Sequence, residues 1–282
     1  MNHRLLRRAA GFTLVELILV IVLIGIIGGV LTLQLKPAIQ SYLLVKQRAA
    51  MSNQADSALR RIVTDVRSAV PNSLRLSSDT CLELVPTGDG GRFRTAPHTG
   101  TPAAASAYLD DIDARSEFDV LTPLSYAPVA GDAIVIGNQN PDDVYGGANV
   151  AIVAQTDAAP DNAVGRHRIK LAGAFRLPPG YTGGRFVVVP GDRKIVYTCQ
   201  FKEPGVGTLY RFSAARSAAP SCTLPANAAM VTEEDKVAGC AFSYSPGQGA
   251  TQESGYIQLQ LTLRDKGESV PLTVGAHVDN VP

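Results

Sequence analysis

Residues 11–33 read GFTLVELILVIVLIGIIGGVLTL, an apolar run in which Glu16 is the only charged residue. A helix over residues 12–33 would span about 33 Å, enough to cross the hydrocarbon core of a bilayer. Basic residues precede the run, so the positive-inside rule puts the N-terminus in the cytoplasm. A secretory signal peptide would need a shorter run followed by a small-residue cleavage site, which the residues after Leu33 do not provide. The sequence therefore predicts a single membrane-spanning helix.

The composition of the whole chain is that of a folded protein. Of 282 residues, 45% are hydrophobic and 18% are charged, enough apolar material for a core and too little charge for a disordered chain. The 26 basic and 25 acidic residues give a net charge of +1, which excludes a strongly basic nucleic-acid binder. Without Arg4, Arg7 and Arg8 the balance is 23 basic against 25 acidic residues, so the positive excess lies ahead of the apolar run.

The apolar run opens with a recognisable motif, Gly11-Phe12-Thr13-Leu14-Val15-Glu16, which follows a short basic leader. This arrangement resembles the type III signal of type IV pilins and type II secretion pseudopilins. The resemblance implies that a prepilin peptidase cuts between Gly11 and Phe12 and methylates the new amine of Phe12. Residues 1–11 would then be a cleaved leader.

Glu16 is the unusual residue of the run. A carboxylate in the apolar part of a membrane helix costs about 2.5–3.5 kcal/mol, so it is rarely found there without a partner. The resemblance implies that this partner is the Phe12 amine of a neighbouring subunit, and that the pair sets the axial register of a fibre. The alternative is a glutamate that reaches to the membrane surface, since Glu16 stands near the start of the run.

The helix is expected to continue as an amphipathic segment over residues 34–70. One apolar stripe at helical spacing predicts a face that packs on a globular domain, formed by Leu59, Ile62, Val63, Val66 and Val70. Pro37 is expected to kink the helix or interrupt one backbone hydrogen bond. Pro71 predicts its end.

Beyond Pro71 the pattern changes to short β-rich runs. Residues 257–263 alternate cleanly between apolar and polar side chains, which predicts a strand with one buried face. Asp265-Lys266-Gly267-Glu268 predicts a hairpin turn into the last strand. The small residues of 88–107 predict a loop. The fold class is therefore α+β and pilin-like, a long helix packed on an antiparallel sheet, with residues 71–282 as a periplasmic or extracellular β-rich domain. That domain is large enough to require an enlarged sheet or an inserted β-region.

Four cysteines, an even number, permit two disulfides in a chain that leaves the cytoplasm. Loop length favours a short Cys222–Cys240 closure, and Cys81–Cys199 is then the second bond. Buried free thiols and a zinc site are the alternatives, and the absence of any CxxC spacing argues against zinc.

Residues 138–143, Asn-Gln-Asn-Pro-Asp-Asp, are rich in side-chain oxygen. Calcium prefers such oxygen ligands, but Asn, Pro and Asp are also the commonest turn residues. Without a bidentate Glu at the usual spacing, turn chemistry is favoured and no metal is expected.

Basic residues alternate with apolar ones at Arg166, His167, Arg168 and Lys170. Such a stripe could bind DNA, but it is more often the wet face of a strand, and no nucleic-acid partner is expected. The histidines are scattered, and no HExxH, GxSxG or Walker motif occurs. We therefore expect neither an enzyme nor a cofactor.

Three C-terminal segments resemble the large O-type minor pilins of the mannose-sensitive haemagglutinin (MSHA) pilus: residues 237–244, 255–259 and 277–282. Similar patterns occur in J-type minor pseudopilins of type II secretion. The resemblance implies a single-pass inner-membrane protein that associates with prepilin peptidase and other pilins and then enters a fibre or reaches the cell surface. A minor pseudopilin and a pilin-stalked adhesin are the alternatives.

Overall fold

The computed structural model describes residues 11–100, 106–247 and 254–279. The chain divides into two compact units at Ala50 and Met51. Residues 1–10, which are most of the expected leader, lie outside the described residues. So do residues 280–282, the last three residues of the third segment that resembles MSHA pilins.

Helix α1 runs from Leu14 to Arg67, 54 residues, and so ends three residues before the expected boundary at residue 70. The helix continues through Pro37. Of the two expected effects, the structure therefore has the interruption of one backbone hydrogen bond, because proline has no N–H to donate. In the first unit the large apolar side chains of α1 are exposed, whereas its last turns, from Met51 on, are part of the second unit.

The second unit contains fourteen strands and a short helix among the described residues. They are β1 (Arg75–Ser78), β2 (Cys81–Leu84), β3 (Asp89–Arg92), β4 (Arg115–Val120), β5 (Ala133–Val135), α2 (Pro141–Gly146), β6 (Val150–Ala158), β7 (His167–Phe175), β8 (Arg185–Val189), β9 (Arg193–Glu203), β10 (Val206–Ala215), β11 (Ala229–Met230), β12 (Val237–Ser245), β13 (Ser254–Asp265) and β14 (Glu268–Asp279). The first sheet has the order β1-β2-β9-β10-β12-β13-β14, with β11 paired to β10, and all of its pairings are antiparallel.

The last turns of α1 pack on one face of this sheet. Helix residues three and four apart, such as Leu59, Ile62 and Val66, are buried against alternate strand residues such as Leu259 and Leu261. The helical period of the stripe and the period-two pattern of β13 each present one apolar face, and the core forms where the two faces meet. This is the α+β, pilin-like arrangement that the sequence predicts.

Strands β3 to β8 are inserted between β2 and β9, which are neighbours in the first sheet. They form a second antiparallel sheet in the order β3-β8-β5-β6-β7-β4. The residues after β3 return to β4, since Arg94 N donates to Asp119 O at 3.0 Å and Leu121 N donates to Arg92 O at 2.8 Å. The second sheet therefore closes into a six-stranded barrel. Of the two expected arrangements, an enlarged sheet or an inserted β-region, the protein has an inserted β-region.

The barrel interior is filled by the inward residues of its strands. Phe118 packs edge-to-face against Phe93 and Phe186, with ring centroids 5.8 and 5.6 Å apart. Such aromatic packing leaves no channel through a barrel of this size.

The sequence predictions for the β-rich domain concern a hairpin turn and a loop. The hairpin turn between β13 and β14 is confirmed, with positive φ at Lys266 and Gly267. The predicted loop over 88–107 is wrong in part, because β3 lies at its start, and residues 101–105 of this range lie outside the described residues. Helix α2 was not predicted, because six residues are too few for a helical pattern to stand out.

Candidate functional site

The N-terminal segment begins with Gly11 and Phe12, which precede the helix. Thr13 caps α1, because its Oγ1 accepts a hydrogen bond from the backbone N–H of Glu16 at 3.3 Å. Glu16 therefore lies in the first helical turn, where the helix dipole favours a negative charge. Phe12 is 80% exposed, and the described residues provide no burial for it.

The apolar surface that follows is continuous. Large apolar side chains from Leu14 to Leu33 are each at least 41% exposed, and α1 is the one described helix that is long and apolar enough to cross a membrane. A water-soluble monomer rarely exposes an apolar surface of this extent, so this half of α1 requires lipid or other helices around it.

A family model, the prokaryotic N-terminal methylation motif, matches residues 6–32. The chain carries a prepilin-type N-terminus. The match includes Gly11, Phe12 and Glu16 and supports a type IV pilin or pseudopilin, with membrane anchoring through α1. It also favours a structural, non-enzymatic protein. No curated protein and no solved structure matches the chain.

The two disulfides join Cys81 to Cys222 and Cys199 to Cys240. The predicted pairing, Cys222–Cys240 with Cys81–Cys199, is therefore wrong, although all four cysteines are oxidised as expected.

The physical reason is the alternation of side chains along a strand. Cys81 lies opposite Thr198 in the β2–β9 register, so these two side chains leave the same face of the sheet. Cys199 follows Thr198 in β9, and its side chain therefore points to the opposite face from that of Cys81. Cys199 and Cys240 lie on the face that α1 covers. Cys81 and Cys222 lie on the opposite face, and a disulfide cannot reach across the sheet.

The face opposite α1 contains a buried ion-pair cluster. The Glu83 carboxylate is fully buried and lies 2.6 Å from Lys194 Nζ and 2.5 Å from Arg75 Nε. Residues 216–222 pass over it, so that Ser221 N donates to Glu83 Oε1 at 2.9 Å and Arg75 donates to two backbone carbonyls of the segment. The Cys81–Cys222 bond fixes the end of this covering segment. Sequence reasoning missed the cluster, although a charged residue within the apolar run Cys-Leu-Glu-Leu-Val was a usable signal.

Arginines also join the inserted region to the first sheet. The Arg75 guanidinium stacks 3.5 Å from the centroid of the Tyr145 ring in α2. Burial raises the pKa of Tyr145, so its phenol stays neutral beneath that cation. Arg216 pairs with Asp192 at 2.6 Å and donates to the Val144 carbonyl. These contacts fix α2 against the edge of the first sheet.

The oxygen-rich residues 138–143 serve local structure. Asn140 N donates to Asp143 Oδ2 at 3.1 Å, which caps α2. Asn138 is buried, donates to Pro71 O at 2.7 Å and accepts from Asn149 at 3.0 Å. Among the described residues no group of three His, Cys, Asp or Glu side chains could hold a metal ion. The turn interpretation accounts for these residues.

Two cations of the basic stripe, Arg168 and Lys170 of β7, are paired with carboxylates on the neighbouring strands β4 and β6. Arg168 contacts the buried Asp119 at 2.7 Å, and Lys170 contacts Asp157 at 3.0 Å. The bond from Asp119, together with its charge, raises the pKa of Arg168 against the opposing effect of burial. Arg168 and Lys170 are therefore committed to cross-strand ion pairs, as expected for the solvent-facing side of a strand.

Proposed function

We propose that the chain is a minor pilin of an MSHA-like type IV pilus. Prepilin peptidase removes residues 1–11 by cutting between Gly11 and Phe12 and methylates Phe12. Residues 12–33 anchor the protein in the inner membrane and later lie in the fibre core, residues 34–70 continue the helix, and residues 71–282 fold in the periplasm. The observation that carries this proposal is the methylation motif at residues 6–32, which opens a helix of 54 residues.

Assembly in this proposal depends on Glu16. In the membrane its carboxylate is costly, and in the fibre the Phe12 amine of a neighbouring subunit neutralises it. The exposed apolar residues of α1 then pack against the same segment of other pilins. Two disulfides support export of the second unit to an oxidising compartment.

A minor rather than a major role is supported by the inserted barrel. It adds a six-stranded body to the helix-and-sheet unit, and a subunit that must repeat along a fibre has little room for such a body. The described residues of the segments that resemble MSHA pilins lie on β12, β13 and β14, which pair in succession.

Two other roles compete with this one. A J-type minor pseudopilin of type II secretion would use the same N-terminus and the same sheet. A pilin-stalked adhesin is favoured by one observation, the barrel, because a closed domain beside the pilin core could present a binding surface.

Deletion of the gene, scored separately for surface pili and for secreted proteins, distinguishes these roles. Loss of pili with normal secretion supports the pilin, and the reverse result supports the pseudopilin. Normal pili with lost surface attachment supports the adhesin. Intact-mass analysis of the membrane fraction should give a methylated chain that begins at Phe12, and any other N-terminus contradicts the processing step.

A further inference from the structure

Two arginines stand directly opposite each other on the outer face of the barrel. Arg92 of β3 is the register partner of Arg185 of β8, and both are exposed. Phe93, next to Arg92, and Phe186, next to Arg185, fill the barrel core, so the arginines point outward. Like charges directly opposite each other destabilise an antiparallel pair, because their side chains leave the sheet only about 5 Å apart.

Neither guanidinium has a carboxylate partner within the described part of the chain. Two acids of strands β3 and β4, Asp89 and Asp119, already have other partners. Asp89 of β3 accepts hydrogen bonds from the backbone N–H of Gly90 and of Tyr126, both at 2.7 Å, and Asp119 pairs with Arg168. The other arginine and lysine residues of the barrel strands, Arg115, Arg168 and Lys170, form ion pairs with carboxylates, whereas Arg92 and Arg185 lack that compensation.

The pair lines one part of an open groove with a volume of about 460 Å³. The remaining lining is mainly apolar or without side chains and includes Pro71, Gly90 and Val187. A Cβ atom on Gly90 would lie 2.8 Å from the carbonyl oxygen of Phe186, so this position excludes any side chain and the groove stays open. The volume lies within the range of ligand sites.

We infer that this groove binds a carboxylate carried on an apolar peptide segment. Two guanidinium groups from adjacent strands can donate several parallel N–H bonds to one planar carboxylate. The apolar lining would contact the flanking side chains, and an isolated inorganic anion could not use it. The charge that destabilises the free strand pair is then compensated by the ligand. This inference is independent of the pilus system to which the protein belongs.

Binding can be measured by fluorescence anisotropy on the full-length protein in detergent at low ionic strength. The probe is a labelled, end-blocked pentapeptide with a central glutamate between valines, and its glutamine counterpart is the control peptide. We expect saturable binding of the glutamate peptide that weakens about tenfold in Arg92→Gln and in Arg185→Gln. Arg176→Gln, which removes another exposed arginine of the inserted region, should leave binding unchanged.

Arg92→Glu separates lost binding from lost folding. It places an opposite charge beside Arg185, so the melting temperature should not fall while peptide binding is lost. The inference is overturned if the glutamate peptide does not bind at millimolar concentration, if the glutamine peptide binds equally well, or if both single glutamine variants bind normally. Competition by inorganic phosphate as strong as that by the peptide would overturn the peptide assignment in favour of a free-anion site.

Discussion

Buried charge is the most consequential feature at the scale of single residues. Glu83 and Lys194 are both almost fully buried, and Arg75 is 12% exposed, so water stabilises none of the three charges to a useful extent. Together with Ser221 N, the two cations satisfy the Glu83 carboxylate. A cluster of this kind stabilises the fold only while it stays complete.

Glu83→Gln should lower the free energy of unfolding by about 3–5 kcal/mol, because it leaves Lys194 and Arg75 buried without a counter-charge. Chemical denaturation of the full-length protein in detergent measures this change. Lys202→Gln is the matched control, since Lys202 forms exposed ion pairs with Glu234 and Asp235 and should change stability by at most about 1 kcal/mol. Equal effects of the two variants would contradict the role of burial.

Asp110 should make the fold sensitive to acid. The backbone N–H of Asp113 donates to its carboxylate at 2.7 Å and, with Ile112 N and Arg115, lowers the pKa of Asp110 against the effect of burial. Because the folded pKa is depressed, this stabilisation is present above the unfolded value of about 3.9 and is lost as the pH falls below it.

Asp110→Asn should therefore melt at a lower temperature than the wild type at pH 7, and the difference should shrink below about pH 4. Melting temperatures recorded between neutral and strongly acidic pH test this. The same change at the exposed neighbour Asp111 should leave the wild-type profile intact. A constant difference at every pH would rule out the proposed linkage.

At the scale of elements, the two faces of the first sheet have separate roles. One face carries the helix and the Cys199–Cys240 bond, and the other carries the covering segment and the Cys81–Cys222 bond. Each disulfide closes a loop that spans several strands, 41 and 141 residues in sequence separation. The pairing therefore follows from which face each cysteine occupies rather than from loop length.

Peptide mapping of the oxidised protein should recover the Cys81–Cys222 and Cys199–Cys240 fragments. In Cys222→Ser the one alkylatable thiol should be Cys81, because Cys199 and Cys240 remain bonded on the other face. Cys240→Ser is the reciprocal control and should free Cys199 alone. Recovery of a Cys222–Cys240 fragment from native protein would contradict the arrangement of the sheet.

At the scale of the whole molecule, the proposed assembly depends on the apolar half of α1 and on Glu16. Glu16→Gln keeps the size of the side chain and removes the charge that we assign to a neighbour's Phe12 amine. Membrane insertion should survive, since a neutral amide costs less than a carboxylate in lipid. Incorporation into the fibre should fall, because a buried amine without its counter-charge costs about 3–5 kcal/mol.

Crosslinking to other pilins, normalised to the amount of the protein, measures this incorporation. Glu203→Gln makes the same substitution at an exposed site of the second unit and should co-assemble normally. If the stable Glu16→Gln protein is incorporated at the wild-type level, Glu16 is only a surface charge of the membrane helix.

The amino-acid sequence alone determined the features that depend on local pattern. The motif around Gly11 and Phe12, the apolar run, the stripe through Leu59 and Ile62, and the turn before β14 could each be predicted. Every one of them is encoded by residues that are close together in the chain, so periodicity and turn chemistry suffice.

Only the tertiary structure decided the features that depend on distant residues. Which cysteines meet, how β3 to β8 close into a barrel, and that Arg92 faces Arg185 all follow from strand register and from which face of a sheet a side chain occupies. A shift of one residue in register would reverse those faces while leaving the local sequence pattern unchanged, so no local pattern could specify them.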